Sequence, residues 1–282
     1  MEKIFSGEYL EKKWMKFSRS WTYVTSSFRE EYEKLEAAGA FEENSFSECI
    51  WKTRNKFVLK VITSSGDAVV YKTFNRIKRW RSYLFRLSPI GREAVNYDLF
   101  RNLGFCVPRL LAAGETRNFF RIKTGFLITE YAADTKNGLC FTPGKELEQE
   151  TGLREEYLRK NLRLLAKLHV NRILHGGFTP GNLLWRKVDD SAEMELVWID
   201  FASCKTVSRG TLKRKGVIDF YHLFRFFAFT DDEIRKWLDV YFAASEEFLW
   251  EKEELFAMLR QFQKSSKKPE KPCCDLKTER FR

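Results

Sequence analysis

The spacing of hydrophobic positions changes along the chain, and each change marks a new segment. Over the first 45 residues, Trp14, Phe17, Trp21 and Val24 recur at steps of three and four, which predicts an amphipathic helical extension. From Cys49 the chain is rich in β-branched and aromatic residues, which come in short runs between turn residues. The runs CIWKT, FVLKVI and AVVYKTF therefore predict a three-stranded antiparallel meander.

Helical spacing returns after the meander. Gly91–Leu103 carries apolar residues at helical steps and is followed by Gly104, a residue type common just beyond helix ends. Phe126–Tyr131 predicts a further strand, and a polar linker follows it. Beyond the linker, two short strands are expected around LLW and LVWID, and helices are expected at residues 154–169, 217–229, 232–241 and 246–262.

This pattern predicts an α+β fold with a small antiparallel β lobe and a larger helical lobe. Residues 1–45 form the helical extension, residues 46–135 the small lobe and residues 136–262 the large lobe. The tail, residues 263–282, holds seven basic and three acidic residues and is predicted to be disordered.

Composition excludes several classes of protein. Apolar residues make up 44% of the 282 residues and aromatic residues 16%, which rules out a disordered chain. No apolar run approaches the roughly 18–20 residues that span a bilayer. The first residues lack the apolar core of a secretory signal, so a cytoplasmic location is expected. The six cysteines show no CxxC spacing and are expected to be reduced thiols.

The charge favours an anionic partner. Fifty Lys and Arg against 39 Asp and Glu give a net charge of +11, which suits nucleic acid, phosphorylated small molecules or a membrane surface. The segment Arg76–Arg86 mixes basic and aromatic residues and contains no acid. It is either a solvated loop or an interfacial segment for anionic lipid or sugar phosphates. No recognised nucleic-acid-binding signature is present in the sequence, so nucleic acid is not expected.

Four polar residues predict a phosphoryl-transfer site. Lys72 closes a strand and Glu93 opens the next helix, and a lysine held by a carboxylate is a fixed cation that can bind phosphate oxygens. Asn182 ends the polar turn of HGGFTPGNLLW, and Asp200 ends the apolar strand VWID. Amide and carboxylate oxygens suit Mg²⁺. In such a site, positioning and charge neutralisation provide most of the catalysis.

Each of these residues also has a plain structural interpretation. Lys72 could be a solvated edge lysine, and Glu93 a first-turn acid favoured by the helix dipole. Asn182 could cap a turn, and Asp200 could be a turn residue. The presence of all four in this order favours the site.

The order of the motifs resembles the protein-kinase-like superfamily, and within it the lipopolysaccharide kinase family of Kdo kinases and WaaP heptose kinases. Three segments carry the closer resemblance: KTFNRIKRWRSYLFRL, REAVNYDLFRNLGFCVPRLLAAGE and LKRKGVIDFYHLFRFF. The similarity covers about residues 49–229. It implies a bilobal protein-kinase-like fold in which residues 46–135 are the N-lobe and residues 136–262 the C-lobe.

The resemblance also implies a role for each matching residue. Lys72 would contact the α- and β-phosphates of ATP and pair with Glu93, while Asn182 and Asp200 would bind Mg²⁺. Lys72, Asn182 and Asp200 would thus form the catalytic set. The adenine would be held by the backbone of Glu130, Tyr131 and Ala132.

The catalytic loop departs from the family pattern. His175 would be its structural histidine, and Asp219 a buried helix carboxylate that hydrogen-bonds the loop. The catalytic aspartate should stand two residues after His175, where this chain has Gly177. Loss of a general base lowers the rate by about 10²–10⁴-fold, unless Asp189, Asp190 or a group on the substrate replaces it. In addition, the first hairpin, CIWKTRNKFVLKV, has no glycine whose backbone could cover the phosphates.

The expected function is that of an ATP- and Mg²⁺-dependent kinase, a phosphotransferase with an alcohol acceptor. It would phosphorylate a sugar hydroxyl of a lipopolysaccharide-like glycolipid. Its partners would be a nucleotide, the anionic glycolipid and, peripherally, a membrane surface, with the cytoplasmic face of the inner membrane as the place of action. The alternative, motivated by Gly177, is a pseudokinase of the same fold that binds nucleotide or lipid as a regulator.

Overall fold

A computed structural model describes residues 9–15, 18–42, 47–53, 56–75, 88–118, 121–188, 193–245, 247 and 249–265. By their contacts the residues cluster into two compact units, residues 1–138 with 181–204 and residues 139–180 with 205–282. The basic segment Arg76–Arg86, the alternative bases Asp189 and Asp190, and nearly all of the predicted tail lie outside the described residues.

The strands and helices are numbered in chain order. The strands are β1 (Tyr9–Met15), β2 (Ser18–Val24), β3 (Ser47–Thr53), β4 (Lys56–Ile62), β5 (Ala68–Asn75), β6 (Leu110–Asn118), β7 (Arg121–Glu130), β8 (Lys136–Asn137), β9 (Ile173–Leu174), β10 (Leu183–Lys187), β11 (Met194–Trp198) and β12 (Lys205–Thr206). The helices are α1 (Arg29–Ala37), α2 (Pro89–Asn102), α3 (Thr151–Val170), α4 (Arg209–Lys215), α5 (Val217–Phe224), α6 (Asp231–Ala243) and α7 (Lys252–Ser265).

The first unit is built on a seven-stranded sheet in the order β1-β2-β6-β7-β5-β4-β3. All neighbouring strands are antiparallel. The predicted meander is confirmed as β3, β4 and β5, and the strand predicted at residues 126–131 is the end of β7. A smaller sheet in the order β11-β10-β8 belongs to the same unit and contains the two predicted short strands.

The prediction of a helical extension over residues 1–45 is wrong for residues 9–15 and 18–24. These residues form β1 and β2, and β2 pairs along its length with β6, so they enlarge the sheet at one edge. Trp21 and Tyr23 are both buried and are separated by one residue, which is strand alternation. With β-branched and aromatic neighbours, this period of two prevails over the wider three- and four-residue spacing. Among the described residues up to 42, the α-helix prediction is confirmed for α1.

Helices α1 and α2 cover opposite faces of the large sheet. Directly paired residues of antiparallel strands point to the same side, so Val58, Lys72 and Leu127 share one face, which we call the α2 face. The opposite α1 face carries the core of the unit. The buried apolar residues of this core are Val24, Phe28, Tyr32, Leu35, Ala40, Leu59, Val61, Val69, Leu111, Ala112 and Ile128.

Gly125 allows α2 to lie close against β7. The residue pairs with Phe74, and a Cβ atom at position 125 would overlap Cδ1 of Ile90 in the first turn of α2. The helix starts at a capped end, where the Ser88 hydroxyl accepts the N–H of Gly91 at 3.0 Å. Glu93 lies three residues after Ile90 and therefore on the same side of the helix.

The second unit is mainly helical, and β9 pairs with β12 within it. The predicted helices at residues 154–169 and 232–241 are confirmed as α3 and α6. The other two differ from the prediction: α5 ends at Phe224 instead of residue 229, and α7 begins at Lys252 instead of residue 246 and extends to Ser265. Phe227 and Phe229 lie after the end of α5 and stack on each other, so these apolar residues are explained by ring packing and not by a longer helix. Helix α4 was not predicted.

The two units together give the predicted α+β class, an antiparallel β part and a helical part. No helix in the described part of the chain combines the length and the apolar character that a membrane crossing requires.

Candidate functional site

Three of the four predicted phosphoryl-transfer residues meet in one cluster. Lys72 on β5 donates hydrogen bonds from Nζ to Glu93 Oε1 and Oε2, at 2.8 and 3.0 Å. The same Nζ donates to Asp200 Oδ1 at 2.9 Å. The Glu93 side chain is 1% exposed and that of Lys72 13%, whereas that of Asp200 is 39% exposed. The cluster therefore has a buried side, formed by Glu93, and an accessible side, formed by Asp200.

The two carboxylates keep Lys72 positively charged. Burial alone lowers the pKa of Lys72, but the attraction of Glu93 and Asp200 exceeds this effect and raises the pKa above its ordinary value. Burial raises the pKa of Glu93, while the Lys72 ammonium counteracts that rise. With two hydrogen bonds from Lys72, Glu93 serves as the buried anion that holds the lysine in place.

Asp200 adopts a strained backbone conformation. Its φ and ψ angles are 62° and 64°, in the left-handed region, where Asn, Asp and Gly are the residues best tolerated. The following short 3-10 turn is held by Asn96 of α2, whose Nδ2 donates to Phe201 O at 2.9 Å and to Cys204 O at 3.1 Å. Asn96 thus ties the segment around Asp200 to the helix that carries Glu93.

Asn96 was not among the functional residues predicted from the sequence. Asn96 is buried and follows Glu93 by three residues, so a second polar residue at helical spacing from Glu93 was the available signal.

Asn182 and Asp200 lie at the same end of the β10–β11 hairpin. Leu183 pairs with Trp198, and the Ile199 N–H donates to Asn182 O at 3.0 Å, so strand register places residue 182 beside the segment that leads into Asp200. No group of three or more His, Cys, Asp or Glu residues within the described ranges could hold a metal. One carboxylate and one amide fit Mg²⁺ that also takes oxygens from phosphate and water.

The residues proposed to hold adenine form the end of β7 and the segment after it. The N–H groups of Glu130 and Tyr131 are already used, since they donate to Arg109 O at 3.0 Å and Ala68 O at 3.2 Å. The Ala132 N–H has no acceptor among the described residues. Ala132 is therefore the residue of the three whose amide can donate to a ligand.

The residues predicted to form the catalytic loop lie in the second unit, and Asp219 hydrogen-bonds to their backbone. The Asp219 carboxylate is fully buried and accepts the N–H of His175 at 3.0 Å and the N–H of Gly176 at 2.7 Å. This is the contact predicted for Asp219. On its other side, His169 Nε2 lies 3.3 Å from Asp219 Oδ2. The backbone of the predicted catalytic loop is thus held by a buried carboxylate, while Gly177 offers no side chain that could act as a base.

The fold and the Lys72–Glu93–Asp200 cluster define a protein of the protein-kinase-like class. The family model described as "Lipopolysaccharide kinase (Kdo/WaaP) family" matches residues 70–241, more than half of the chain. This chain belongs to that family, whose members are kinases.

A solved structure supports the same fold. A structure described as WaaP in complex with acyl carrier protein is similar with a TM-score of 0.57 at 16% identity, over 85% of this chain and 96% of that chain. The Rio2 kinase from Chaetomium thermophilum, in a complex with ADP/Mg²⁺-phosphoaspartate, gives a TM-score of 0.43 at 14% identity, over 91% of this chain and 82% of that chain. No curated protein matches the sequence.

Proposed function

We propose that this protein is an ATP- and Mg²⁺-dependent kinase that phosphorylates a sugar hydroxyl of a lipopolysaccharide-like glycolipid. The observation that carries the proposal is the cluster in which Lys72 contacts both Glu93 and Asp200. Family membership supports a lipopolysaccharide-type acceptor.

Each candidate site residue in the first unit has a part in nucleotide binding. The buried Glu93 holds Lys72, whose ammonium contacts the α- and β-phosphates, and Asp200 and Asn182 provide oxygen ligands for Mg²⁺. Bound Mg²⁺ supplies charge neutralisation on the phosphate oxygens. The Ala132 N–H donates to the adenine ring, because the neighbouring amides of Glu130 and Tyr131 are engaged.

Gly177 makes the transfer slow but does not abolish it. The transition state of phosphoryl transfer is loose in most analyses, so positioning and electrostatics dominate over proton removal. Without a base, a kinase that turns over at roughly 1–100 s⁻¹ would retain about 10⁻⁴–1 s⁻¹. The glycolipid acceptor places the site of action at the cytoplasmic face of the inner membrane, where the protein's positive charge favours peripheral binding.

The second candidate function is that of a pseudokinase that binds nucleotide or lipid as a regulator. One observation favours it, namely the glycine at the position of the catalytic base. In that case nucleotide still binds to the cluster around Lys72, but no transfer depends on Asp200.

A phosphotransfer assay on a glycolipid extract separates the two functions. The wild type, Asp200→Ala and Gly177→Asp are compared with Asp232→Ala, a control at a carboxylate that is 100% exposed on α6. Kinase function predicts transfer by the wild type, none by Asp200→Ala and unchanged transfer by the control. Gly177→Asp is expected to raise the rate by about 10²–10⁴-fold. Nucleotide binding without Asp200-dependent transfer in any variant would establish the pseudokinase instead.

A further inference from the structure

Lys56 occupies the α2 face of the sheet next to the proposed phosphate-binding lysine. It is the first residue of β4, directly after the turn of the first hairpin, and it pairs with Phe74 of β5. Its Nζ lies 4.4 Å from the centroid of the Phe74 ring, and the Nζ of Lys72 lies 5.3 Å from the same centroid. Two ammonium groups therefore contact one aromatic ring. Lys56 was not among the site residues predicted from the sequence.

The two lysines differ in how their charges are balanced. Lys72 is paired with Glu93 and Asp200, but no carboxylate in the described segments lies within ion-pair distance of Lys56. Burial lowers the pKa of Lys56, and repulsion by Lys72 lowers it further, while Asp200 and Glu93 partly counteract both effects. An anion bound between the two lysines would relieve this repulsion and supply the missing partner.

The hairpin that carries Lys56 cannot bind phosphate as a glycine-rich loop does. Its sequence, CIWKTRNKFVLKV, has no glycine, so side chains prevent the close backbone approach that a nest of amides requires. A cation at the start of β4 stands at the place where such a loop would end. A lysine needs no special backbone conformation to reach a phosphate, because its ammonium is carried on a flexible stem.

We propose that Lys56 is a second phosphate-binding lysine of the nucleotide site, which contacts the terminal phosphates in place of a glycine-rich loop. The proposal rests on the proposed function, since it assumes that a nucleoside triphosphate binds at Lys72. It predicts that the contribution of Lys56 to affinity grows with the number of phosphates on the ligand.

The test measures the binding of adenosine, AMP, ADP and ATP, with Mg²⁺, by titration calorimetry. Lys56→Met removes the charge but keeps an unbranched stem on the Phe74 ring. The matched control is Lys60→Met, on the same strand and face, where the ammonium contacts the Tyr131 ring instead. We expect Lys56→Met to weaken ATP binding by roughly 10–100-fold, as for a lost charged hydrogen bond, and adenosine binding by less than about two-fold. Lys60→Met should leave the ratio of ATP to adenosine affinity unchanged.

Two results would overturn the proposal. Equal weakening of ATP and adenosine would show that Lys56 only supports the sheet, and an unchanged ATP affinity would show that it does not reach the phosphates. Lys56→Gln serves as a second variant if Lys56→Met does not fold. A wild type that binds ATP no better than adenosine would instead overturn the proposed function, and with it the role of Lys56.

Discussion

Replacing Glu93 with Gln removes the charge that pairs with Lys72 while leaving a side chain of nearly the same shape in the buried position. Breaking a buried ion pair by removing one partner destabilises a protein by about 3–5 kcal/mol. Here Asp200 still accepts a hydrogen bond from Lys72 at 2.9 Å, and the glutamine oxygen can accept another. We therefore expect Glu93→Gln to lower the free energy of unfolding by about 2–3 kcal/mol.

Asp200 provides the comparison, because it pairs with the same lysine from an exposed position. With 39% of its side chain exposed, loss of its charge should change the free energy of unfolding by only about 0–1 kcal/mol. Asn also tolerates the left-handed backbone of this residue, so Asp200→Asn isolates the electrostatic effect. Asp200→Ala adds strain of roughly 1–2 kcal/mol at a φ of 62°.

Urea unfolding, followed by both tryptophan fluorescence and circular dichroism, measures these differences. Coincident curves from the two probes are needed, because the chain forms two compact units. The expected order of destabilisation is Glu93→Gln, then Asp200→Ala, then Asp200→Asn. The reasoning from burial is refuted if Glu93→Gln destabilises the protein no more than Asp200→Asn. The double variant Lys72→Met/Glu93→Gln should be more stable than the sum of the single effects predicts, because it leaves no unpaired buried charge.

Two further predictions concern the surroundings of the site. Gly125→Ala should lower the free energy of unfolding by about 1–3 kcal/mol, since the new Cβ overlaps Ile90 Cδ1. Ile90→Val removes that atom, so the same substitution should cost less in the Ile90→Val variant. An equal loss of stability in the wild type and in the Ile90→Val variant would contradict the close packing of α2. Desolvation, followed by the Glu195 carboxylate, raises the pKa of Cys106 from 9.0 to about 11, so about 100-fold less thiolate is present at pH 8. Alkylation of Cys106 by iodoacetamide, quantified by mass spectrometry, should therefore be slow at pH 8 and accelerate as the pH approaches 11. At pH 8 it should be faster in Glu195→Gln than in the wild type. Reaction at pH 8 at the rate of a free cysteine would disprove the raised pKa.

Local features of the sequence were sufficient for most individual elements. The meander, α2, α3 and α6 each carry their own hydrophobic period and turn residues, and short-range patterns of this kind do not depend on the rest of the chain. The prediction of a helical N-terminal extension was wrong because a β-strand forms only when it pairs with another strand. Whether β2 forms depends on pairing with β6, about 90 residues further along the chain, and no local period reports that contact.

For the candidate site, too, some features could be predicted from the sequence and others could not. The residue types and order of Lys72, Glu93, Asn182 and Asp200 were readable from the sequence, because phosphate and Mg²⁺ chemistry requires a cation and oxygen ligands wherever the chain supplies them. The absence of a base at Gly177 was equally visible.

Only the tertiary structure decided how these groups differ in burial and which others join them. Glu93 and Asp200 are both carboxylates, yet helix packing at Gly125 buries the first while the second stays accessible. Lys56 and Asn96 enter the site through strand register and through a contact between segments more than 100 residues apart. The sequence by itself thus determined the chemical groups of this protein, and the tertiary structure determined their environments, because burial and charge balance arise from contacts that no local pattern contains.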